Sequence, residues 1–411
     1  MTVSNVHVSP SRGLWSYCVV ASTIVCTFAA ASFPVPLLAV WSKDLKLTPL
    51  EVSLTVMSYV LGCIVTLLFF ARLSDALGRR RALVPAQILG IVSCFILMSP
   101  ESATALFVGR LLQGLYSGIV ISSAMPWAID MAPKKHRWMG SAVSVAGPSL
   151  GMVLGTLSCG VLAQTGLVTV SGLFEFLAAV MALLLLAFLT ATEPVIAKRP
   201  NLVSVLKPVM IVPAAFRRRF LTAMVVFVGI CALTCYFQGF SAYVAGIVFT
   251  DSSVPIVMAA VIYVSLIVPN AFGGVLFGKM DSDKVLLGLT AVFCLAGILL
   301  FASVAMSISI AALLFLTVCG LTGGGLCSVT LYRLIHDAKP EERASLISCL
   351  FLIGDIGTGI PSFLIGKFVP ETSLWGSTYV FAAWFTSVLV LTIWSVIRSR
   401  TVENLRHAIA I

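Results

Sequence analysis

Charged residues are scarce in this chain. Only 10% of its 411 residues are Asp, Glu, Lys or Arg, and the mean hydropathy is +1.08, whereas a water-soluble domain carries about 25% charge. The longest polar insert, at about 193–219, is too short for a folded soluble domain. The composition therefore excludes a soluble protein and indicates an integral membrane protein.

Three further absences narrow the chemistry. The four histidines lie in terminal or loop segments, which excludes a histidine proton relay inside an apolar segment. The eleven cysteines show no metal-ligand spacing and are interpreted as small apolar packing residues. There is no glycine-rich phosphate loop with a lysine, so ATP does not power the protein directly. We predict no metal, no cofactor and no enzymatic activity.

Long apolar runs make up most of the chain. A helix that crosses a membrane needs about 20 apolar residues. Twelve such runs are found, at roughly 14–40, 51–70, 82–99, 104–129, 139–163, 167–191, 220–249, 253–277, 285–304, 307–332, 345–369 and 375–397. The expected fold is all-α, with twelve transmembrane helices.

Lys and Arg are unevenly distributed between the segments that join these runs. The 26 basic residues give a net charge of +10, but they concentrate in alternate segments, such as Arg79–Arg81 and Arg217–Arg219. The opposite segments hold only Lys43, Lys46 and Lys367. This is the positive-inside pattern of membrane proteins and not a nucleic-acid-binding surface. It places both termini in the cytoplasm, and the compact loops favour a bacterial inner (plasma) membrane.

The two halves of the sequence resemble each other. Gly114 precedes Asp130, and about half a chain later Gly320 precedes Asp337 at a similar distance. Such a repeat is typical of secondary transporters, whose substrate site lies near the membrane midplane between two halves. We predict a six-helix bundle over 1–192, a cytoplasmic linker over 193–219 and a second six-helix bundle over 220–411.

The segment between the second and third runs, Ala71–Arg81, reads ARLSDALGRRR. It closely resembles the signature Gly-x-Leu-(Ala/Ser)-Asp-Arg-x-Gly-Arg-(Lys/Arg) of the major facilitator superfamily, although Ala71 and Ala76 replace its first glycine and first arginine. The resemblance implies the fold of that family, with two pseudo-symmetric six-helix bundles. It also implies a gating charge network formed by Asp75 and Arg79 of this loop and Asp130 at the end of span 4, and Gly78 and Arg80 of the same motif are predicted gating residues. The alternative is that these arginines only set the topology.

Span 4 carries a second resemblance. Arg110-Leu-Leu-Gln113-Gly114-Leu-Tyr116 is similar to the family's Arg-x-x-Gln-Gly-x-Gly, with Tyr116 in place of the second glycine. The resemblance implies a role for Arg110 in proton coupling. A charge inside the membrane is costly and usually faces a cavity or a partner, so the alternative is structural pairing with an acid on a neighbouring helix.

Two acids lie well inside the predicted spans. Asp355 falls near the middle of span 11, between Gly354 and Gly357, and Glu175 falls in the outer half of span 6. A carboxyl group in such a place can bind and release a proton as its exposure changes. Span 1 holds no acid, so coupling would use Asp355, Glu175 or Asp130. We predict Asp355 and Glu175, together with Arg110, as the proton-coupling residues. For Glu175 the alternative is simple solvation in a wet outer vestibule.

Span 5 contains Gly147-Pro148-Ser-Leu-Gly151. It is similar to the antiporter signature Gly-x-x-x-Gly-Pro-x-x-Gly-Gly, although Val143 and Met152 occupy two of its glycine positions. The resemblance implies a gating element and favours the export branch of the superfamily. Close packing of helices through small residues is the alternative.

Polar and aromatic residues in otherwise apolar spans are the candidate substrate contacts. Each is equally compatible with a hydrogen bond between packed helices. The candidates are Gln113, Tyr116, Tyr236, Gln238, Tyr243, Tyr263 and Asn270.

Together these features predict a monomeric secondary transporter, embedded in the lipid bilayer, whose partners are protons and a small-molecule substrate. We expect proton-coupled export of a small organic molecule such as a drug, a metabolite or a siderophore. One alternative is proton-coupled uptake of a sugar or a carboxylate. Another is a membrane receptor or scaffold that uses the fold without transport.

Overall fold

The computed structural model describes residues 10–70, 73–133, 138–193, 212, 216–249, 255–278, 280, 282–336, 346, 349–350, 352–357 and 374–410. Within these residues the chain forms helices and no strand. The all-α prediction is confirmed.

The described residues form thirteen helices. In chain order they are α1 (Pro10–Ser32), α2 (Leu38–Asp44), α3 (Pro49–Phe69), α4 (Leu73–Leu77), α5 (Arg79–Met98), α6 (Ala103–Met131), α7 (Trp138–Thr165), α8 (Val170–Thr190), α9 (Arg217–Val248), α10 (Pro255–Phe277), α11 (Asp283–Ala305), α12 (Ser309–Ile335) and α13 (Leu374–Ala410).

Eleven of these helices are long and apolar enough to cross a membrane, and α2 and α4 are the short exceptions. They coincide with eleven of the twelve apolar runs. The remaining predicted span, at 345–369, falls mostly outside the described residues, and its described stretch 352–357 is helical. The twelfth span therefore stays a prediction.

The chain separates into two compact units. Unit 1 comprises Met1–Leu47 and Leu54–Pro208, and unit 2 comprises Thr48–Ser53 and Val209–Ile411. The predicted linker at 193–219 is described only at 193, 212 and 216–219.

Glycines bring helices close together inside both units. In unit 1, Gly114 of α6 lies against the backbone of α3, where its ideal β-carbon would stand 2.9 Å from the Cα atom of Gly62. In unit 2, Gly320 of α12 lies against α10, with its ideal β-carbon 3.2 Å from Cβ of Pro269. These glycines belong to the internal repeat, which thus marks equivalent helix crossings in the two units.

Candidate functional site

The start of α5 holds two charge contacts of unit 1. Arg79 is the first residue of α5, and its Nη1 atom lies 2.6 Å from Oδ2 of Asp130, next to the last residue of α6. The guanidinium group of Arg80 donates to the carbonyl oxygen of Ala191, and its backbone N–H donates to Oε1 of Glu193 at 3.3 Å. The start of α5, the end of α6 and the segment after α8 are thus joined at one end of the unit.

Gly78 makes room for the Glu193 carboxylate. Its φ angle is +99°, a conformation that glycine adopts at little cost. A β-carbon at this position would stand only 2.7 Å from Oε1 of Glu193. The absent side chain lets the carboxylate reach the N-terminus of α5, where a negative charge is favoured.

The predicted gating residues therefore divide into two contacts. Arg79 and Asp130 form the ion pair that the family resemblance implies, whereas Gly78 and Arg80 contact Glu193. Asp75 lies in α4, and its side chain is outside the described part of the structure. A gating role for these residues stays a prediction.

Arg110 and Gln113 bind the carboxyl end of α1. Both side chains are 1% exposed. Nη1 of Arg110 donates to the carbonyl oxygen of Ala31 and to Oε1 of Gln113, both at 2.7 Å, and Nε2 of Gln113 donates to the carbonyl oxygen of Ala30 at 3.1 Å. Side chains of α6 thus bind the last carbonyl groups of α1.

The sequence after α1 explains why its last carbonyl groups need side-chain donors. In an α-helix the Ala30 carbonyl accepts a hydrogen bond from the N–H of residue 34, but Pro34 has no N–H. The N–H of Val35 donates to Ser32 at 3.0 Å. A cation at the end of a helix also complements the helix dipole, so these contacts give Arg110 a structural role. Its role in proton coupling stays a prediction.

Tyr116 belongs to a chain of hydrogen bonds inside unit 1. The side chain is 1% exposed. Its hydroxyl accepts from Oγ1 of Thr27 at 2.7 Å and donates to Oε1 of Gln87 at 3.0 Å, and Nε2 of Gln87 donates to the carbonyl oxygen of Met181 at 3.1 Å. The chain links α1, α5, α6 and α8, so the described contacts of Tyr116 are packing contacts.

The two predicted membrane acids have different surroundings. Glu175 lies in the second turn of α8 and is exposed, next to Phe176, which is 70% exposed. Asp355 lies in the helical stretch 352–357 of unit 2 and is half-buried. The burial of Asp355 fits a proton site better than that of Glu175 does.

Glycines hold the backbone around Asp355 against α9. A β-carbon at Gly354 would stand 3.2 Å from Cδ1 of Phe227, and one at Gly357 would stand 2.5 Å from Cγ2 of Val228. Larger residues on either side of Asp355 would push this stretch away from α9. The glycines seen in the sequence therefore fix the position of the acid within unit 2.

Gly147 and Gly151 lie where α7 packs on α1. A β-carbon at Gly147 would be 3.1 Å from Cγ2 of Ile24, and one at Gly151 would be 2.9 Å from Cβ of Phe28. Pro148 lies within α7. The contacts are those of small-residue packing, and a gating role for these three residues stays a prediction.

The candidate substrate residues of unit 2 occupy three kinds of environment. Tyr236, Tyr263 and Gln238 are buried, at 3%, 1% and 8% exposure. Asn270 is half-buried, with its backbone carbonyl against α12. Tyr243 is 47% exposed. Their role as substrate contacts stays a prediction.

Tyr236 lies in an aromatic cluster of unit 2. Its ring centroid is 5.1 Å from that of Phe240, 5.2 Å from that of Phe301 and 4.9 Å from that of Phe381. The cluster joins α9, α11 and α13. Such ring contacts add to the stability that burial alone gives.

Unit 2 contains an ion pair that the sequence reasoning missed. Asp283 is the first residue of α11, and its Oδ1 atom lies 2.5 Å from Nη2 of Arg333 in the last turn of α12. The pair joins the same two helix ends as Arg79 and Asp130 do in unit 1, but acid and base are exchanged. The two halves therefore do not show the same residue types at these helix ends. Asp337, the expected counterpart of Asp130, lies outside the described residues.

Two other contacts of the site have a signal in the sequence. Glu193 directly follows the sixth predicted span, which ends on the same side of the membrane as the basic loop Ala71–Arg81. Pro34 lacks a backbone N–H and so removes a hydrogen-bond donor near the end of α1. Within the described ranges, no group of three or more His, Cys, Asp or Glu side chains is arranged to hold a metal ion.

Comparison with known proteins identifies the family. The sequence profile of the Major Facilitator Superfamily matches residues 20–362. The glucose transporter GlcP of Staphylococcus epidermidis is 33% identical over 95 residues, which cover 23% of this chain and 21% of GlcP. The quinolone resistance protein NorA of Staphylococcus aureus is 25% identical over 143 residues, covering 33% of this chain and 37% of NorA. The matched segments thus span only about a fifth to two fifths of these relatives.

Solved transporter structures share the fold along almost the whole chain. The nucleoside transporter NupG superposes with a TM-score of 0.72 over 93% of this chain and 99% of its own, at 13% identity. A bacterial homologue of the human lysosomal transporter Spinster, in an inward-facing and occupied conformation, gives a TM-score of 0.69 over 96% of this chain and 98% of its own, also at 13% identity. With the profile match covering most of the sequence, the chain belongs to the Major Facilitator Superfamily and is a multi-pass membrane transporter, not an enzyme.

Proposed function

We propose that this transporter exports a small organic molecule in exchange for protons, by alternating access of its two halves. The observation that carries the proposal is Asp355, a half-buried acid in an apolar run, on a backbone held against α9 by Gly354 and Gly357. The proposed setting is a bacterial inner membrane, with a monomer that has both termini in the cytoplasm.

The proposed coupling follows from the cost of a charge inside a membrane. An ionised carboxylate in the membrane is expensive unless it meets water or a partner, whereas the neutral form is far less so. Asp355 therefore favours protonation when it is shielded and ionisation when it faces water. If its exposure changes with the conformation of the transporter, a proton is carried in one direction for each cycle.

Support for export comes from α7 and from one relative. The Gly147-Pro148 pattern in α7 resembles the antiporter signature, and NorA, a quinolone resistance protein, is similar over a third of this chain. A second candidate, sugar uptake with protons, has its own support, because GlcP is a glucose transporter and is 33% identical over its shorter matched segment.

Gating at the cytoplasmic side is assigned to the charge contacts at the start of α5. Arg79 and Asp130 join α5 to α6, and Asp130 is 47% exposed, so water can reach the pair. An exposed ion pair contributes only about 0–1 kcal/mol, which suits a contact that must be broken and re-formed. In the proposed cycle this contact closes when the transporter opens outward.

The direction of transport is tested with vesicles of both orientations. Inverted vesicles with an acidic interior receive a fluoroquinolone, and right-side-out vesicles receive glucose, while a pH-sensitive dye reports proton movement. Wild type is compared with Asp355→Asn and with Glu101→Gln, a matched control that neutralises an exposed loop acid.

The outcomes distinguish export from uptake and test the role of Asp355. Quinolone-dependent proton release from inverted vesicles, lost in Asp355→Asn and kept in Glu101→Gln, supports proton-coupled export. Glucose-dependent proton uptake by right-side-out vesicles would establish the uptake alternative. Proton movement that persists in Asp355→Asn would remove Asp355 from the coupling site.

A further inference from the structure

The two units carry ion pairs at equivalent places in their folds. In each unit, one partner is the first residue of a helix, Arg79 in α5 or Asp283 in α11. The other lies in the last turn of the next helix, Asp130 in α6 or Arg333 in α12. The helix pairs α5–α6 and α11–α12 are both antiparallel neighbours, so each ion pair closes one end of such a helix pair.

Helix dipoles favour the ion pair of unit 2. The N-terminus of a helix carries partial positive charge and the C-terminus partial negative charge. Asp283 places a carboxylate in the first turn of α11, and Arg333 places a guanidinium group in the last turn of α12. Both charges thus interact favourably with their own helices as well as with each other.

Helix dipoles oppose the ion pair of unit 1. Arg79 brings a positive charge to the N-terminus of α5, whose first turn holds no acid. Asp130 brings a negative charge to the C-terminus of α6, whose last turn holds no base. The carboxylate of Glu193 supplies negative charge at the start of α5 by accepting from the N–H of Arg80. The dipole of α6 disfavours the charge of Asp130 at its C-terminus.

Solvent exposure also favours the ion pair of unit 2 over that of unit 1. The side chains of Asp283 and Arg333 are 18% and 23% exposed, whereas Asp130 is 47% exposed against 15% for Arg79. Water screens a pair more strongly when one partner is exposed. Both the helix dipoles and the lower solvent exposure therefore make the unit 2 ion pair the stronger of the two.

We propose that Asp283 and Arg333 form a permanent clasp that fixes α11 to α12, whereas the equivalent Arg79–Asp130 pair is the releasable one. The exchange of acid and base would then give the two units different properties. The ends of α11 and α12 stay joined in unit 2, whereas the ends of α5 and α6 can separate in unit 1. The clasp is a property of the unit 2 fold itself, so it holds whether the transported molecule moves in or out.

Charge-swap variants test this difference directly, since a swap keeps the ion pair but reverses its relation to the helix dipoles. The unit 2 variant is Asp283→Arg with Arg333→Asp, and the unit 1 variant is Arg79→Asp with Asp130→Arg. Thermal unfolding is followed in detergent at one scan rate. The unit 2 swap is expected to lower Tm by about 4 °C or more. The unit 1 swap is expected to lower Tm by less, because it gains from both helix dipoles but places a second carboxylate near that of Glu193.

Two results would overturn the proposal. Equal losses of Tm in both swaps would mean that the helix dipoles do not distinguish the pairs. A unit 2 swap as stable as wild type would mean that only the attraction between the two side chains matters.

Hydrogen exchange provides a second test if a swapped protein does not fold. In the wild-type protein, amides in the last turn of α12 are expected to exchange at least about tenfold more slowly than those in the last turn of α6. Arg333→Gln should remove that protection and Arg333→Lys should keep most of it, whereas Arg79→Gln should change exchange at α6 little. Equal exchange at the two helix ends in wild type would refute the clasp.

Discussion

The junction at the end of α1 leads to a prediction with a built-in rescue. Gln113→Leu removes the amide that donates to the Ala30 carbonyl oxygen at 3.1 Å. Pro34 cannot replace that donor, because it has no N–H. In a Pro34→Ala background, residue 34 regains an N–H that can close the ordinary helical bond to Ala30. The same Gln113→Leu change should therefore cost less in that background.

The magnitude follows from the bonds that are lost. A buried acceptor left without a donor costs about 1–3 kcal/mol, and a hydrogen bond to a charged group contributes about 1.5–3 kcal/mol. Gln113→Leu removes one bond of each kind, to Ala30 and from Arg110. Allowing for incomplete additivity, we expect a loss of about 3 kcal/mol, and a loss smaller by about 1–2 kcal/mol when Pro34→Ala is present.

The assay is thermal unfolding of the four proteins of this double-mutant cycle in one detergent. For a unit of roughly 200 residues, about 1 kcal/mol corresponds to about 2–4 °C in Tm. Gln113→Leu should therefore lower Tm by about 6–12 °C alone and by about 2–8 °C less in the Pro34→Ala background. Pro36→Ala is the control, because it restores an N–H that does not face Ala30. An equal loss with and without Pro34→Ala would refute this account of the α1 end.

Three further changes test other parts of the structure. Gly78→Ala should destabilise unit 1 by about 2 kcal/mol, because a β-carbon strains the backbone and contacts the Glu193 carboxylate. The loss of Tm should be smaller when Glu193→Ala is added, and an unchanged loss would show that the carboxylate is not responsible. Gly151→Leu should force α7 away from α1 and reduce the yield of folded protein in size-exclusion chromatography, and a wild-type yield would contradict the close packing. Tyr236→Ala should cost about 3–5 kcal/mol by emptying the aromatic cluster, measured as Tm, and a change below about 1 kcal/mol would show that the cluster repacks.

Much of the fold was predictable because the membrane imposes strong rules. Apolar runs of about 20 residues become helices, since every backbone group must be bonded within the segment. The repeated glycines also have a direct structural meaning, because Gly114 and Gly320 both permit close helix contacts. The contact of Arg79 with Asp130 was expected from the family resemblance and is present.

The surroundings of the polar residues were less predictable. In a membrane protein both the lipid-facing surface and the interior are apolar, so hydrophobic periodicity does not show which face of a helix is buried. Tyr236 and Tyr243 lie two turns apart on nearly the same face of α9, yet they are 3% and 47% exposed. The difference arises because rings from α11 and α13 surround Tyr236, and no pattern within α9 reveals those neighbours.

The ion pair of unit 2 could not be predicted from the sequence for a different reason. The Asp283–Arg333 pair satisfies the same geometry as Arg79–Asp130, but it does so with the opposite residue types. An ion pair needs only opposite charges at a suitable distance, so either order preserves it. The second half of the sequence therefore loses its similarity to the first half at these positions, although the ion pair between the two helix ends is retained.

The most direct test of proton coupling through Asp355 separates substrate exchange from proton-driven transport. Proteoliposomes containing wild type or Asp355→Asn are loaded with a transported compound, and both counterflow exchange and accumulation driven by a pH gradient are measured. We expect Asp355→Asn to keep counterflow and to lose accumulation, because substrate binding and conformational change persist without the proton site. Accumulation equal to wild type would contradict the central claim, and loss of counterflow as well would place Asp355 in substrate binding or folding instead of coupling.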